Sequence, residues 1–164
     1  MGYNDGCCWN VDCNQSQLTN FTGFTPFNLT DHYHSLCEIT NFRNQTEVEL
    51  CRLAKLPDLN QSNAYVRSTL MTWINDLTEK YDIDGYRIDT EVEVPKDFWA
   101  EFQQAAGAFC IGEANNGDNM TYLAQYQGPL DSVLNFPIFN SITRVFTNNV
   151  SMTDLSSTLK KETP

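Results

Sequence analysis

From Ser62 onward the chain switches repeatedly between two hydrophobic periods. Val66, Leu70, Trp73, Ile74 and Leu77 recur every three or four residues, which is the spacing of one helical face, and the pattern stops before "YDIDG". Gly85 to Ile88 reads as a short strand. Pro95 suits a first helical position, where its missing N–H costs nothing, and it leads into Phe98, Trp99, Phe102 and Ala106 at helical spacing. "AFCIGE" (108–113) predicts a buried strand, a helical stretch follows near 118–125, and "SVLNFPIF" (132–139) predicts a third strand. "SMTD" (151–154) is a capping box that opens a last helix. Residues 1 to about 60 hold no sustained period and are rich in Asn, Thr and Cys.

Strands near 86, 110 and 134 with helices between them are β-α-β units, and such connections impose parallel pairing. The expected fold class is therefore α/β, with an irregular part at 1–60 and an open parallel sheet at 61–164. A closed (β/α)8 barrel takes about 250 residues, so 164 residues make at most part of one.

Composition narrows the function. Ten Lys and Arg against 21 Asp and Glu give a net charge of -11, which excludes a nucleic-acid partner because phosphates demand a basic face. No apolar run approaches the length of a membrane helix. Sequons stand at Asn14, Asn20, Asn28, Asn44, Asn60, Asn119 and Asn149 beside six cysteines, which points to a secreted or lumenal glycoprotein with paired thiols. The opening "MGYNDGCC" has no basic and apolar leader, so Met1 reads as an internal start.

The charges of "DIDGYRIDTEVEV" (82–94) are the candidate chemistry. Functional groups of parallel α/β folds collect where strands end, and Asp89 and Glu113 close the first two strands. Neighbouring strands lie about 4.8 Å apart, so these carboxyls can approach the roughly 5 to 5.5 Å that a retaining glycosidase needs. Arg87 and Asp89 are two residues apart and share a face, so the guanidinium favours ionised Asp89. Nothing comparable flanks Glu113, which suits a proton donor. The bland alternative makes Arg87 and Asp89 a structural ion pair and Glu113 a loop residue.

"DGYRIDT", followed 24 residues after Asp89 by "IGEA", resembles the signature of the α-amylase family of glycoside hydrolases. "KDFW", "FCIGE", "LNFPIF" and "LPDL" are similar to its fungal-type secreted members, and the resemblance runs from "MGY" to "KKETP". It implies a partial TIM (β/α)8 barrel of about strands 4 to 6 plus part of a small inserted domain. Asp89 would be the nucleophile, Glu113 the proton donor, and Arg87 the residue that supports the nucleophile and contacts substrate. Gly117 in "NNGD" would also contact substrate. The family's Lys-His pair falls here on Val92 and Glu93, so the substrate contact expected at those positions is altered, and Glu91 and Glu93 read as rim charges.

The resemblance further implies a structural Ca2+ held by Glu49, Asp58 and the backbone carbonyl of Glu93, and a disulfide between Cys37 and Cys51. Cys110 reads as a buried thiol. Among Cys7, Cys8 and Cys13 one pair and one leftover are expected, and a zinc site is the weaker alternative because their spacing is not paired. His32 and His34 are expected on an exposed loop. The family's third acid and its upstream Asn-His pair fall outside "MGY" to "KKETP", so the chain reads as an incomplete piece with two of three acids. The expected parent is a secreted, monomeric enzyme that hydrolyses internal α-1,4 bonds of an α-glucan polysaccharide or oligosaccharide. A non-catalytic carbohydrate-binding relative is the rival reading, and an unstable truncated product is a third.

Overall fold

The structure, a computed structural model, describes residues 20–147 and 150–162. Cys7, Cys8, Cys13 and the sequons at Asn14 and Asn149 lie outside the described residues. The element order is α1 (Gln45–Leu50), α2 (Ala64–Tyr81), β1 (Gly85–Ile88), α3 (Lys96–Ala106), β2 (Phe109–Gly112), α4 (Met120–Ala124), β3 (Ser132–Val133), α5 (Phe136–Thr147) and α6 (Met152–Glu162).

Helix α2 begins where Asn63 turns its side chain onto the N–H groups of Tyr65 and Val66, satisfying two of the donors a helix start leaves open. It ends at Asp82, which takes the left-handed conformation with φ 51°. Helix α3 starts one residue later than expected, with Pro95 as its N-cap, and stops at Gly107, whose φ of 60° favours glycine. Both helices pack on one face of the sheet. Ile74, Ile88, Phe98, Trp99, Phe102, Ala106, Cys110 and Leu130 form the main core, and Cys110 is the buried thiol expected of it.

The three strands pair in parallel in the order β1-β2-β3, with Gly85 opposite Phe109 and Ile88 opposite Gly112. Period-2 alternation sends Ile88, Cys110 and Gly112 toward the helices and leaves Arg87, Ile111 and Glu113 to the other face. The third strand departs from expectation. Only Ser132–Val133 pairs with β2, and "NFPIF" opens α5 instead. Asp131 continues the join in place of ladder bonds, accepting from the Cys110 N–H at 2.9 Å and from the Gln103 amide.

Residues 20–60 are irregular apart from α1 and a 3-10 turn at Thr30–His32. Phe21 stacks on Tyr33 at 3.8 Å, and a disulfide joins Cys37 to Cys51. His32 and His34 are not on an exposed loop. His32 is 5% exposed and stacks on Tyr65 at 5.0 Å, while His34 Nδ1 meets Asp58 Oδ2 at 2.8 Å. The partners are supplied by residues 33 and 24 positions away, which local sequence does not display.

Candidate active site

Strand β1 delivers Arg87 and, one residue beyond its end, Asp89; β2 delivers Glu113 at the matching height because Ile88 pairs with Gly112. The ladder is continued past the strands by Glu113 N–H to Ile88 O at 2.8 Å and Glu91 N–H to Glu113 O at 3.2 Å. These bonds fix the backbone from which both carboxyls project.

Arg87 bridges the two. One of its terminal nitrogens, Nη2, lies 2.5 Å from Glu113 Oε2, and Nη1 lies 3.6 Å from Asp89 Oδ2. The guanidinium is thus nearer to Glu113 than to Asp89, against the expectation that it serves Asp89 alone. Even so, Glu113 is pushed above the ordinary carboxyl range. A hydrogen bond with Asp89 is the main cause and burial the second, and together they outweigh the attraction of Arg87. Physical sense supports that balance. The Arg87 side chain is 51% exposed, so water screens its charge, whereas the Glu113 side chain is only 22% exposed.

Gly117 lies four residues past Glu113 in an exposed turn with φ 57°, its N–H on Asn115 Oδ1 at 3.2 Å. Val92 does not join this face. It is buried with Val48, Ala114, Leu123 and Tyr126 in a second core cluster.

Nor are Glu91 and Glu93 rim charges. After Asp89 the chain turns at Thr90, φ 52°, into a 3-10 turn at Glu91–Glu93 that carries Glu91 between sheet and helices. Glu91 is 0% exposed, and neither carboxylate oxygen has a partner among the described residues. Its carbonyl accepts from Trp99 Nε1 at 2.8 Å, and its carboxylate occupies the space where a side chain on Gly112 would begin. Burial raises it to about 7 against a weaker pull from Lys96. Glu93 is also raised to about 7, first by burial and then by the charges of Glu113, Asp89 and Asp58. Alternation of Glu and Val at 91–94 was the available signal, but it carries no direction outside a strand.

The residues expected to hold calcium are separately engaged. Asp58 accepts from His34, and Glu49 accepts from the Gln45 amide at 2.8 Å, which also donates to Val92 O. Burial raises Asp58 despite the histidine. Among the described residues no three His, Cys, Asp or Glu side chains are placed to hold a metal ion. The fit is therefore partial: Glu93 Oε2 is a buried acceptor without a partner in the electrostatic reach of Asp58, while the Glu49 carboxylate is turned to Gln45.

Comparison with known proteins identifies a family. The family model described as "Alpha amylase, catalytic domain" matches residues 9–163. Alpha-amylase 1 of Lipomyces kononenkoae is 40% identical over 87% of this chain and 24% of its own length. Alpha-amylase 1 of Schwanniomyces occidentalis is 34% identical over 93% of this chain and 30% of its own. The solved structure of an α-amylase from Malbranchea cinnamomea superposes with a TM-score of 0.81 at 39% identity, covering 87% of this chain and 31% of that one. An α-amylase from Geobacillus thermoleovorans, solved in complex with acarbose, gives 0.75 at 30% identity, covering 80% of this chain and 31% of that one. The chain spans about a quarter to a third of the length of these relatives.

Proposed function

The chain belongs to the α-amylase catalytic-domain family, and from that premise we propose that it carries the nucleophile and proton donor of a retaining hydrolase acting on internal α-1,4 bonds of starch-type glucans. The observation that carries this reading is the pair of strand-end carboxyls joined by Arg87, with Glu113 held above its ordinary range by Asp89 and burial. Two carboxyls with unequal tendencies to hold a proton are what the chemistry needs. Asp89 attacks the anomeric carbon as the glycosidic C–O bond breaks, and the Glu113 proton passes to the departing oxygen. Glu113, now ionised, takes a proton from the water that then displaces Asp89 from the sugar. Arg87 lies against both groups, and its positive charge offsets their negative charge when both are ionised. Gly117 offers a side-chain-free turn beside which a sugar ring could lie.

In this proposal β1 to β3 are about strands four to six of a (β/α)8 barrel, residues 61–164 are catalytic-domain sequence, and residues up to 60 belong to a small inserted domain. The parent enzyme is secreted and monomeric. The Cys37–Cys51 disulfide supports an oxidising compartment. Calcium, common in this family, would find Asp58 and Glu93 the best-suited residues here, because a cation would satisfy the unpartnered Glu93 oxygen and relieve its repulsion from Asp58. When bound it would supply structural charge compensation at the joint between the two parts.

The test is a chimera in which residues 20–147 replace the matching segment of the Malbranchea cinnamomea α-amylase. Asp89→Asn and Glu113→Gln should each lower starch hydrolysis by about 10³-fold or more, in line with the loss of one group of a catalytic unit, while leaving the thermal transition in place. Near-normal turnover in either variant would remove the catalytic assignment.

A further inference from the structure

Five sequons fall within the described residues, and in none of them does the asparagine Nδ2 donate to a described residue. Asparagines outside sequons are mixed: Asn41 and Asn115 likewise use Oδ1 alone, accepting from the Arg43 and Gly117 N–H groups, whereas two others also donate. Asn63 Nδ2 donates to Asp31 O at 3.1 Å, and Asn140 Nδ2 donates to Asp118 Oδ1 at 3.0 Å. An Nδ2 without a protein acceptor matters chemically, since attachment of a glycan consumes one of its N–H groups and leaves Oδ1 as an acceptor.

Asn20 shows the geometry most fully. Its Oδ1 accepts from the Thr22 N–H at 3.3 Å and the Thr22 hydroxyl at 2.7 Å, so the sequon closes on itself and leaves Nδ2 outward on an exposed residue. Asn119 uses Oδ1 alone, capping α4 through the Tyr122 N–H at 3.1 Å, and a glycan on Nδ2 would leave that cap intact. Asn28 is exposed and its side chain has no bond to a described residue; Asn44 is exposed at the start of α1 and makes no side-chain cap. Asn60 closes its sequon in the same way, Oδ1 accepting from the Ser62 N–H at 3.0 Å, and differs in burial. It is half-buried beside the buried Gln61, and its N–H donates to the carbonyl of buried His32 at 2.8 Å, at the seam between the irregular segment and α2.

We propose that Asn20, Asn28, Asn44 and Asn119 are N-glycosylation sites and that Asn60 is not. The donor is an oligosaccharide on a lipid diphosphate. Its anomeric carbon forms a bond to Nδ2, the sugar–phosphate C–O bond breaks with its electron pair leaving on the lipid diphosphate, and Nδ2 gives up one proton. This inference rests on the secretory part of the reading above and not on hydrolysis.

The chimera described above is translated behind a cleavable leader into microsomes, and the fraction with Cys37 and Cys51 linked is treated with peptide N-glycosidase in 18O-water and mapped. Asn20, Asn28, Asn44 and Asn119 should be converted to 18O-labelled Asp and Asn60 should stay unlabelled. The Asn20→Gln variant should lose one glycan's worth of mass. An unlabelled Asn20 or a labelled Asn60 in that fraction overturns the proposal. A labelled chimera that cannot digest starch would refute hydrolysis alone, and an unlabelled chimera that digests it would refute the glycan sites alone.

Discussion

At the scale of single residues, Glu91 and Glu113 are both held above the ordinary carboxyl range, but for different reasons. Glu113 owes it mainly to Asp89, the carboxyl that the proposed function pairs with it. Glu91 owes it to burial. The consequence for stability follows from linkage. The folded chain holds the Glu91 proton to about 7, whereas an unfolded one releases it near 4.5. Stability from this group is therefore full below about 4.5 and is lost as pH rises through about 7, on the order of 3 kcal/mol if the whole displacement is expressed. Glu91→Gln keeps the shape and removes the titration. Thermal unfolding followed between pH 4.5 and 8 should show a decline in the parent that the variant largely lacks. Equal slopes would mean that Glu91 finds a partner when ionised. The sum also includes Glu93, whose direction is the same.

Two devices operate at the scale of elements. The first is the seat of the Glu91–Glu93 turn on β2. A Cβ at Gly112 would stand 1.8 Å from Glu91 Oε2 and 2.9 Å from Leu130 Cδ1, so Gly112→Ala should cost about 1–3 kcal/mol by overpacking. Glu91→Ala empties most of that space, and the double variant should recover a large part of the loss in a denaturant titration. Strict additivity of the two changes would argue that turn and strand are not in contact. The second device is the Cys37–Cys51 crosslink, which spans 14 positions and holds α1 against the strand-like bridge of Glu38 with Arg52. Closing a loop of that length is worth about 3 kcal/mol in the chain-entropy picture. Cys51→Ser should lower the unfolding midpoint accordingly, and peptide mapping without reduction should recover the two cysteines linked. Two alkylated thiols would refute the bridge.

At the scale of the whole molecule, apolar surface is unevenly covered. Trp73 on α2 is 51% exposed, Phe109 on β2 is 52%, and Phe139 and Phe146 on α5 are 61% and 70%. Among the described residues the outer edge of β1 has no strand beside it, and β3 offers only two paired residues. Open edges and exposed aromatic faces favour association. Residues 1–164 produced alone should therefore elute as aggregate or mixed oligomers and should not digest starch. A monodisperse monomer with a cooperative transition and measurable hydrolysis would contradict this. Addition of Ca2+ should raise the midpoint of the chimera described above, less so in Glu93→Gln if its side chain faces the ion. An unchanged midpoint on chelation would remove calcium from the proposal.

The sequence by itself determined the parallel β-α-β order, because hydrophobic period is a local property and the lengths of the connections leave parallel pairing as the outcome. It also placed Arg87 and Asp89 on one face and Asp89 and Glu113 at strand ends, since alternation holds wherever the chain is extended. Tertiary structure decided the rest. "NFPIF" became a helix because a short apolar run has no period of its own, and Pro137 is tolerated in a first helical turn. Glu91 went inward because alternation ends with the strand, and the left-handed turn at Thr90 redirects every side chain after it. Whether Arg87 would reach Asp89, Glu113 or both depended on the register of β1 against β2, a long-range pairing that no local pattern encodes.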